Sequence, residues 1–134
     1  MKLSNVFQKL RALTEDVPNP IRLPTESEID STEKELGVVF PVEFRSYLKL
    51  ASDVVFGTIE PVTITAKDHT DIIAVANDAW ELGIPKNFIP ICEDNGDYYC
   101  VAPNGSVHFC SHNGTTDESW SDIEHWINDV WMNS

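Results

Sequence analysis

Apolar residues recur along this chain with two different periods, and the switches between them mark out its elements. In SNVFQKLRALTE, residues 4–15, Val6, Phe7, Leu10 and Leu13 fall at helical spacing behind Ser4 as a candidate cap, which predicts an opening amphipathic helix. The prolines of VPNPIRLP break it. Ile21 and Leu23 are apolar and the stretch is short, so it reads as a docked connection inside one domain. The next helix is the best marked. Thr25 and Glu28 have the spacing of a capping box, in which the hydroxyl accepts from the amide three residues on and the carboxylate reaches back to the cap. Ile29, Thr32 and Leu36 then share a face, and Gly37 stands where a left-handed C-terminal cap is wanted. Pro41 suits the first turn of a third helix with a buried stripe of Phe44, Tyr47, Leu48 and Ala51.

From Val54 to Thr65 the period drops to two, with Ile59, Val62 and Ile64 among threonines, which predicts a strand that Pro61 confines to an edge or breaks. Residues 68–82 return to period 3.6, with Ile72, Ile73, Ala76, Ala79 and Trp80 facing inward and Gly83 ending the run. FIPIC, YYCVA and SVHFC read as strands. Asn104-Gly105, between the last two, predicts a two-residue type I′ hairpin, because both residues tolerate positive φ. Ser121 and Glu124 offer a second capping box, and Trp120, Ile123, Ile127 and Val130 form the seam of a closing helix. The order of helices, strand, helix, strand meander and helix predicts one α+β domain over residues 1–134, a mainly antiparallel sheet flanked by helices.

Composition supports that size of core: 134 residues, 42% of them hydrophobic, suffice to bury roughly two-thirds of the unfolded chain's surface. No window approaches the roughly 18 to 20 apolar residues of a membrane span, and MKLSNVFQKLRAL mixes charge into what would be a signal peptide's apolar run. A soluble, cytoplasmic protein is expected. The net charge of −13 is unevenly distributed. Residues 1–50 hold seven Lys/Arg and eight Asp/Glu, whereas residues 51–134 hold two and fourteen. After Lys86 there is no Lys or Arg, while Glu93, Asp94, Asp97, Asp117, Glu118, Asp122, Glu124 and Asp129 follow. Such a surface repels nucleic acid and anionic lipid and attracts basic partners, although acidity of this kind also serves solubility alone.

The stretch CEDNGDYYC, Cys92–Cys100, concentrates the candidate chemistry. Three cysteines at spacings of eight and ten cannot all pair and match no zinc-ligand spacing, so ordinary thiols are expected. A two-residue loop at Asn104-Gly105 sets Cys100 opposite Phe109 and Cys110 opposite Tyr99, on different faces of the sheet; a three-residue loop would change that register. The spacing of Asp94, Asn95, Gly96 and Asp97 does not follow a calcium loop. His69, His108, His112 and His125 form no HExxH motif or His/Cys cluster, so no metal is expected. Glu93, Asp94 and Asp97 crowd one Gly-containing connection, which predicts solvated acids rather than a catalytic pair held in a cleft, and neither a GxSxG motif nor a phosphate loop is present. The stretch reads best as an exposed acidic connection beside Tyr98 and Tyr99, suited to a basic protein surface.

LPTESEIDSTEKELGVVFPVEFRSYLKLAS resembles the N-terminal signature of the SUKH superfamily, and FIPICEDNGDYYCVAPNGSVHFCSHN is similar to its second block. The superfamily includes fungal cell-wall synthesis regulators and bacterial immunity proteins against polymorphic toxins. The resemblance covers most of the chain; where many members end the third helix in a glycine turn, this chain has ASDVVFG, with Gly57 arriving late. It implies a mixed α+β binding module with no catalytic residue and no cofactor, in which Gly96, Asp97 and Tyr98 act chiefly as fold determinants. The expected function is neutralisation of a cognate basic toxin domain, a nuclease or deaminase, through Glu93, Asp94 and Asp97 together with Asp117 and Glu118 on the loop before the last helix. No nucleic-acid or membrane partner is expected, and oligomeric state is left open. The alternative is an intracellular scaffold or regulatory domain without a toxin target.

Overall fold

The capping box at Thr25 forms as its spacing requires. In the structure, a computed structural model that describes residues 3–18, 21–111 and 114–134, the Glu28 amide donates to the Thr25 hydroxyl at 3.2 Å and the Thr25 amide to the Glu28 carboxylate at 2.9 Å. They start α2, Glu26–Leu36, which buries Ile29, Thr32 and Leu36 and stops at Gly37 in the left-handed region, φ 71°. Before it lies α1, Leu3–Leu13, with Val6, Phe7 and Leu10 buried; Leu13, expected on the same stripe, is 43% exposed, because the helix ends there. Ser4, the candidate cap, falls inside this helix, and its side chain lies outside the described residues. Asn19 and Pro20 lie outside them too, but the rest of the connection is docked: Thr65 Oγ1 donates to the Arg22 carbonyl at 2.6 Å.

Helix α3, Val42–Leu50, follows Pro41, which serves as its N-cap and not in its first turn. Phe44, Tyr47, Leu48 and Ala51 are buried as their spacing predicts. Tyr47 is 1% exposed, and its hydroxyl donates to the Val62 carbonyl at 2.6 Å, so the one polar atom of a core ring is satisfied.

The expected strand from Val54 to Thr65 does not form. Only isolated bridges are present, Pro61 to Cys92 and Thr63 to Asp71. The physical reason is that this segment lends its backbone to two neighbours in turn: Val62 N–H donates to Ile91, Thr63 N–H to Thr70, and Thr63 C=O accepts from Ile72. Pro61 has no N–H to continue a ladder. Helix α4 then runs Ile72–Glu81, shorter than the 68–82 expected, because Asp71 caps it by accepting from Ile73 N–H. Ile72, Val75, Ala76 and Ala79 are buried, while Ile73 and Trp80 are half-buried.

Four antiparallel strands make the sheet in the order β1 (Ile89–Asp94), β2 (Asp97–Val101), β3 (Val107–Ser111), β4 (Gly114–Trp120). The connection of β2 to β3 corrects the expected register. Ala102 and Ser106 close a three-residue loop, so Tyr98 faces Cys110 and Cys100 faces His108. Cys100 and Cys110 therefore share a face, contrary to the two-residue reading, and both remain free thiols. β4 was not expected: its TTDES run has no apolar alternation, as suits an edge strand guarded by polar side chains.

The closing helix α5, Ile123–Trp126, is capped by Asp122, not Ser121; the Asp122 carboxylate accepts from His125 N–H at 2.8 Å. It runs directly into a π-helical turn, Ile127–Trp131. That turn advances the seam by five residues, so the buried pair is Trp126 and Trp131, while Trp120 and Val130, expected on it, are only partly buried. Trp131 stacks edgewise on Tyr47 with centroids 6.1 Å apart and donates its indole N–H to the Phe56 carbonyl at 3.1 Å, locking the C-terminal turn onto the helical half. The fold is a single α+β domain.

Candidate functional site

The acidic stretch is a tight hairpin. Asp94 pairs with Asp97 across Asn95-Gly96, whose φ values of 54° and 89° are those of a type I′ turn. Among the described residues Asn95 alone is a non-glycine with positive φ, so the I′ turn expected at Asn104-Gly105 sits nine residues earlier in the chain. Glu93 folds over the turn, accepting from Gly96 N–H at 2.6 Å. Cys92, before it, is fully buried, and burial pushes its thiol up to about 12. Cys100 and Cys110 hydrogen-bond to each other, which with burial keeps the proton on Cys100 far above the ordinary range. All three thiols are fully buried in the core.

Alternation separates the two tyrosines. Tyr98 is 5% exposed, and burial raises its phenol, with the charge of Asp78 on α4 adding to it, so α4 lies on its side of the sheet. Tyr99 faces the other way and is half-buried beside Phe109, Trp120 and Trp126, at centroid distances of 4.9, 5.7 and 5.5 Å. Burial again raises its phenol first, followed by Asp94 and, from the far edge of the sheet, Glu118.

Asp117 and Glu118 lie on β4, not in a loop. Their exposure comes from a bulge: Cys110 pairs with Thr115 and His108 with Ser119, so Thr116, Asp117 and Glu118 together oppose Phe109 alone. Thr116 pins the bulge by donating to the Phe109 carbonyl and accepting from Glu118 N–H. Of the five candidates, Asp94 and Glu118 thus converge on the half-exposed Tyr99–Phe109–Trp120 strip, and alternation puts Asp97 on the same side. Glu93 points to the opposite side, where its charge, after those of Glu60 and Asp68, bears on His69.

One cluster escaped the sequence reading. At the start of α5, Asp122, Glu124 and His125 place ligand-type atoms within 4.8 Å of one another, and Glu43 of α3 faces the same acids. Burial, then Asp122, then Glu124 raise the Glu43 carboxyl. Burial also opposes ionisation of Asp122, but hydrogen bonds from His125 outweigh it and hold this carboxyl below the usual range. The signal was the DIEH run itself, donors at the cap, second and third helical positions, which a search for HExxH passes over. His112 lies outside the described residues.

A family model described as SMI1-KNR4 cell-wall, of the SUKH group, matches residues 3–132. The chain belongs to this family. A crystal structure described as a protein from Pseudomonas syringae pv. tomato is 42% identical, covers 98% of this chain and 99% of its own, and superposes with a TM-score of 0.94. No curated protein matches. Membership agrees with the two sequence blocks that carried the resemblance, and the α+β fold expected from them is the one observed. Among the described residues no helix is long and apolar enough to cross a membrane.

Proposed function

We propose that this SMI1-KNR4 family chain is a cytoplasmic, non-enzymatic immunity module that neutralises a cognate bacterial toxin domain by binding it through an acidic surface. The observation that carries the reading is the distribution of ion pairs. Arg11, Arg22, Arg45, Lys49 and Lys67 meet carboxylates at or before Asp71, whereas no Lys or Arg follows Lys86 to meet the later acids, of which Asp122 pairs with His125. Negative charge is therefore left over around the sheet, beside half-exposed aromatic rings that supply contact area at low entropic cost. A nuclease or deaminase toxin presents a basic groove to phosphate, and a carboxylate-rich inhibitor occupies that groove by presenting the charge it accepts.

The test is binding to the product of the neighbouring toxin gene. Asp94, Asp97, Asp117, Glu118 and Glu93 changed together to Asn or Gln should weaken association and flatten its salt dependence, with Asp94 and Glu118 contributing most and Glu93 least. Unchanged affinity and salt slope would remove the electrostatic reading. A second reading, a regulatory scaffold without a toxin target, is favoured by the cell-wall description of the matching family. A gene that lies away from any toxin gene, with a product that binds no toxin, would select it.

A further inference from the structure

We propose that the open end of the sheet face carrying Tyr99, Phe109 and Trp120 is a docking strip for arginine side chains of the partner, whose guanidinium groups lie against these rings and bond to Asp94 and Glu118. The inference rests on the immunity reading and names the chemistry that its acidic surface selects. Only part of this face is covered. Val101 and Val107, which pair with each other and lie on the side of Tyr99 by alternation, are fully buried, and the buried Trp126 of α5 packs on Tyr99 at 5.5 Å. From the Tyr99–Phe109 pair outward the cover thins: Tyr99, Phe109 and Trp120 are half-buried, and Glu118 is exposed beside them. Trp120 stands on β4, an edge of the sheet, where a partner can reach it.

Charge decides what covers the strip. Asp94 and Glu118 come from the two opposite edges of the sheet, β1 and β4, and both lie close enough to Tyr99 to act on its phenol. The chain's cations are engaged elsewhere: Arg11, Arg22, Arg45, Lys49 and Lys67 meet carboxylates of the first 71 residues, and Lys86 stands over the Trp80 ring at 5.5 Å. A second copy of the chain would set like charges against each other across the strip, so the complementary occupant is a cationic partner. Arginine fits it better than lysine. A lysine ammonium is a compact charge that a carboxylate satisfies alone, whereas a planar guanidinium lies against an aromatic ring and bonds a carboxylate through its edge at the same time. Rings set between carboxylates offer both contacts together.

Titration of the ¹⁵N-labelled full chain with capped tetra-arginine and, separately, capped tetra-lysine peptide at low salt, followed by NMR, tests the strip. Tetra-arginine should bind at least about threefold more tightly than tetra-lysine. Trp120→Leu should bring the two peptides level, and Phe109→Leu, on the neighbouring strand, should narrow the gap and keeps the test decisive if Trp120→Leu misfolds. Asp94→Asn combined with Glu118→Gln should weaken both peptides. Peptides that bind the parent equally, or an arginine preference left unchanged by the ring variants, overturn the strip while the acidic-surface reading stands. Affinity for both peptides that the Asp94 and Glu118 changes leave intact overturns the two together.

Discussion

The helical half and the sheet half of this domain handle charge in opposite ways. In the helical half Arg45 alone gathers Glu26, Asp30 and Glu33 at 3.0, 2.9 and 2.6 Å, Lys49 adds a second bond to Glu26, and Arg11 ties α1 to Asp53. In the sheet half Asp94 faces Asp97 directly, and Asp122 and Glu124 at the start of α5 crowd each other and Glu43, which reaches them from α3. Neighbouring like charges oppose folding, so the second arrangement costs stability that the first does not. The difference shows that net charge is a property of regions: the helical half spends its acids on its own cohesion, and the sheet half leaves them facing outward.

The contrast would mean less if the halves were separate folding units, and the aromatic core decides that. Trp131 is fully buried against Tyr47 and Trp126 and reaches Phe56 with its indole N–H. Trp131→Ala should cost about 3–5 kcal/mol, from a cavity plus an orphaned carbonyl, and urea unfolding should remain a single transition in both proteins. Two transitions would split the domain along the very line the charges draw.

Arg45→Ala probes the cohesive half. Exposed pairs are individually weak, but Arg45 is only 25% exposed and holds three carboxylates, so a loss of about 1–2 kcal/mol is expected, shrinking as salt screens the acids left behind. Asp94→Asn in the sheet half should move the other way, stabilising by a few tenths of a kcal/mol at low salt, roughly the size of one surface charge contact. If both variants destabilise, the sheet's acids are structurally paired and the contrast fails.

The same contrast governs how much could be read from the amino acids. Capping box, Gly37 terminus and buried stripes of α2 and α3 were legible because local chemistry there agrees with tertiary packing. The 54–65 segment misled, since its alternation reflects burial between two neighbours and not a ladder, and β4 was hidden because an edge strand needs no apolar pattern. The two turns show the limit most sharply: Asn95-Gly96 and Asn104-Gly105 carry the same dipeptide, yet the first is type I′ and the second part of a three-residue loop. Asn95→Ala should cost about 1 kcal/mol for its positive φ. Asn104→Ala should cost less, about 0.5–1 kcal/mol, through the lost bonds from Ser106 N–H and Oγ, as measured by thermal unfolding. Among the five surface candidates, residue type was legible and placement was not: only the fold reveals that Glu93 turns away from Asp94.

The smallest effects come from titration, and they differ in sign between an acid paired within the helical half, Glu28, and one on α3 that faces the acids at the start of α5, Glu43. The Arg22 guanidinium, then the Thr25 amide, hold Glu28 down to about 2, so it contributes stability above its ordinary value that is lost as pH falls from about 4.5 towards 2. Glu43 is shifted the other way. Its folded carboxyl titrates above the unfolded one, so the penalty for its charge is present above the raised value and disappears as pH falls through it towards the ordinary one. Glu43→Gln should therefore raise the melting temperature at pH 7 and lose that advantage on mild acidification, while Glu28→Gln should lower it at pH 7 and converge with the parent only in stronger acid. Paired melts across pH 2–8 read both. An advantage of Glu43→Gln that persists unchanged at pH 3 would show that the acids at the start of α5 do not repel it, and the difference between the halves would then rest on the hairpin alone.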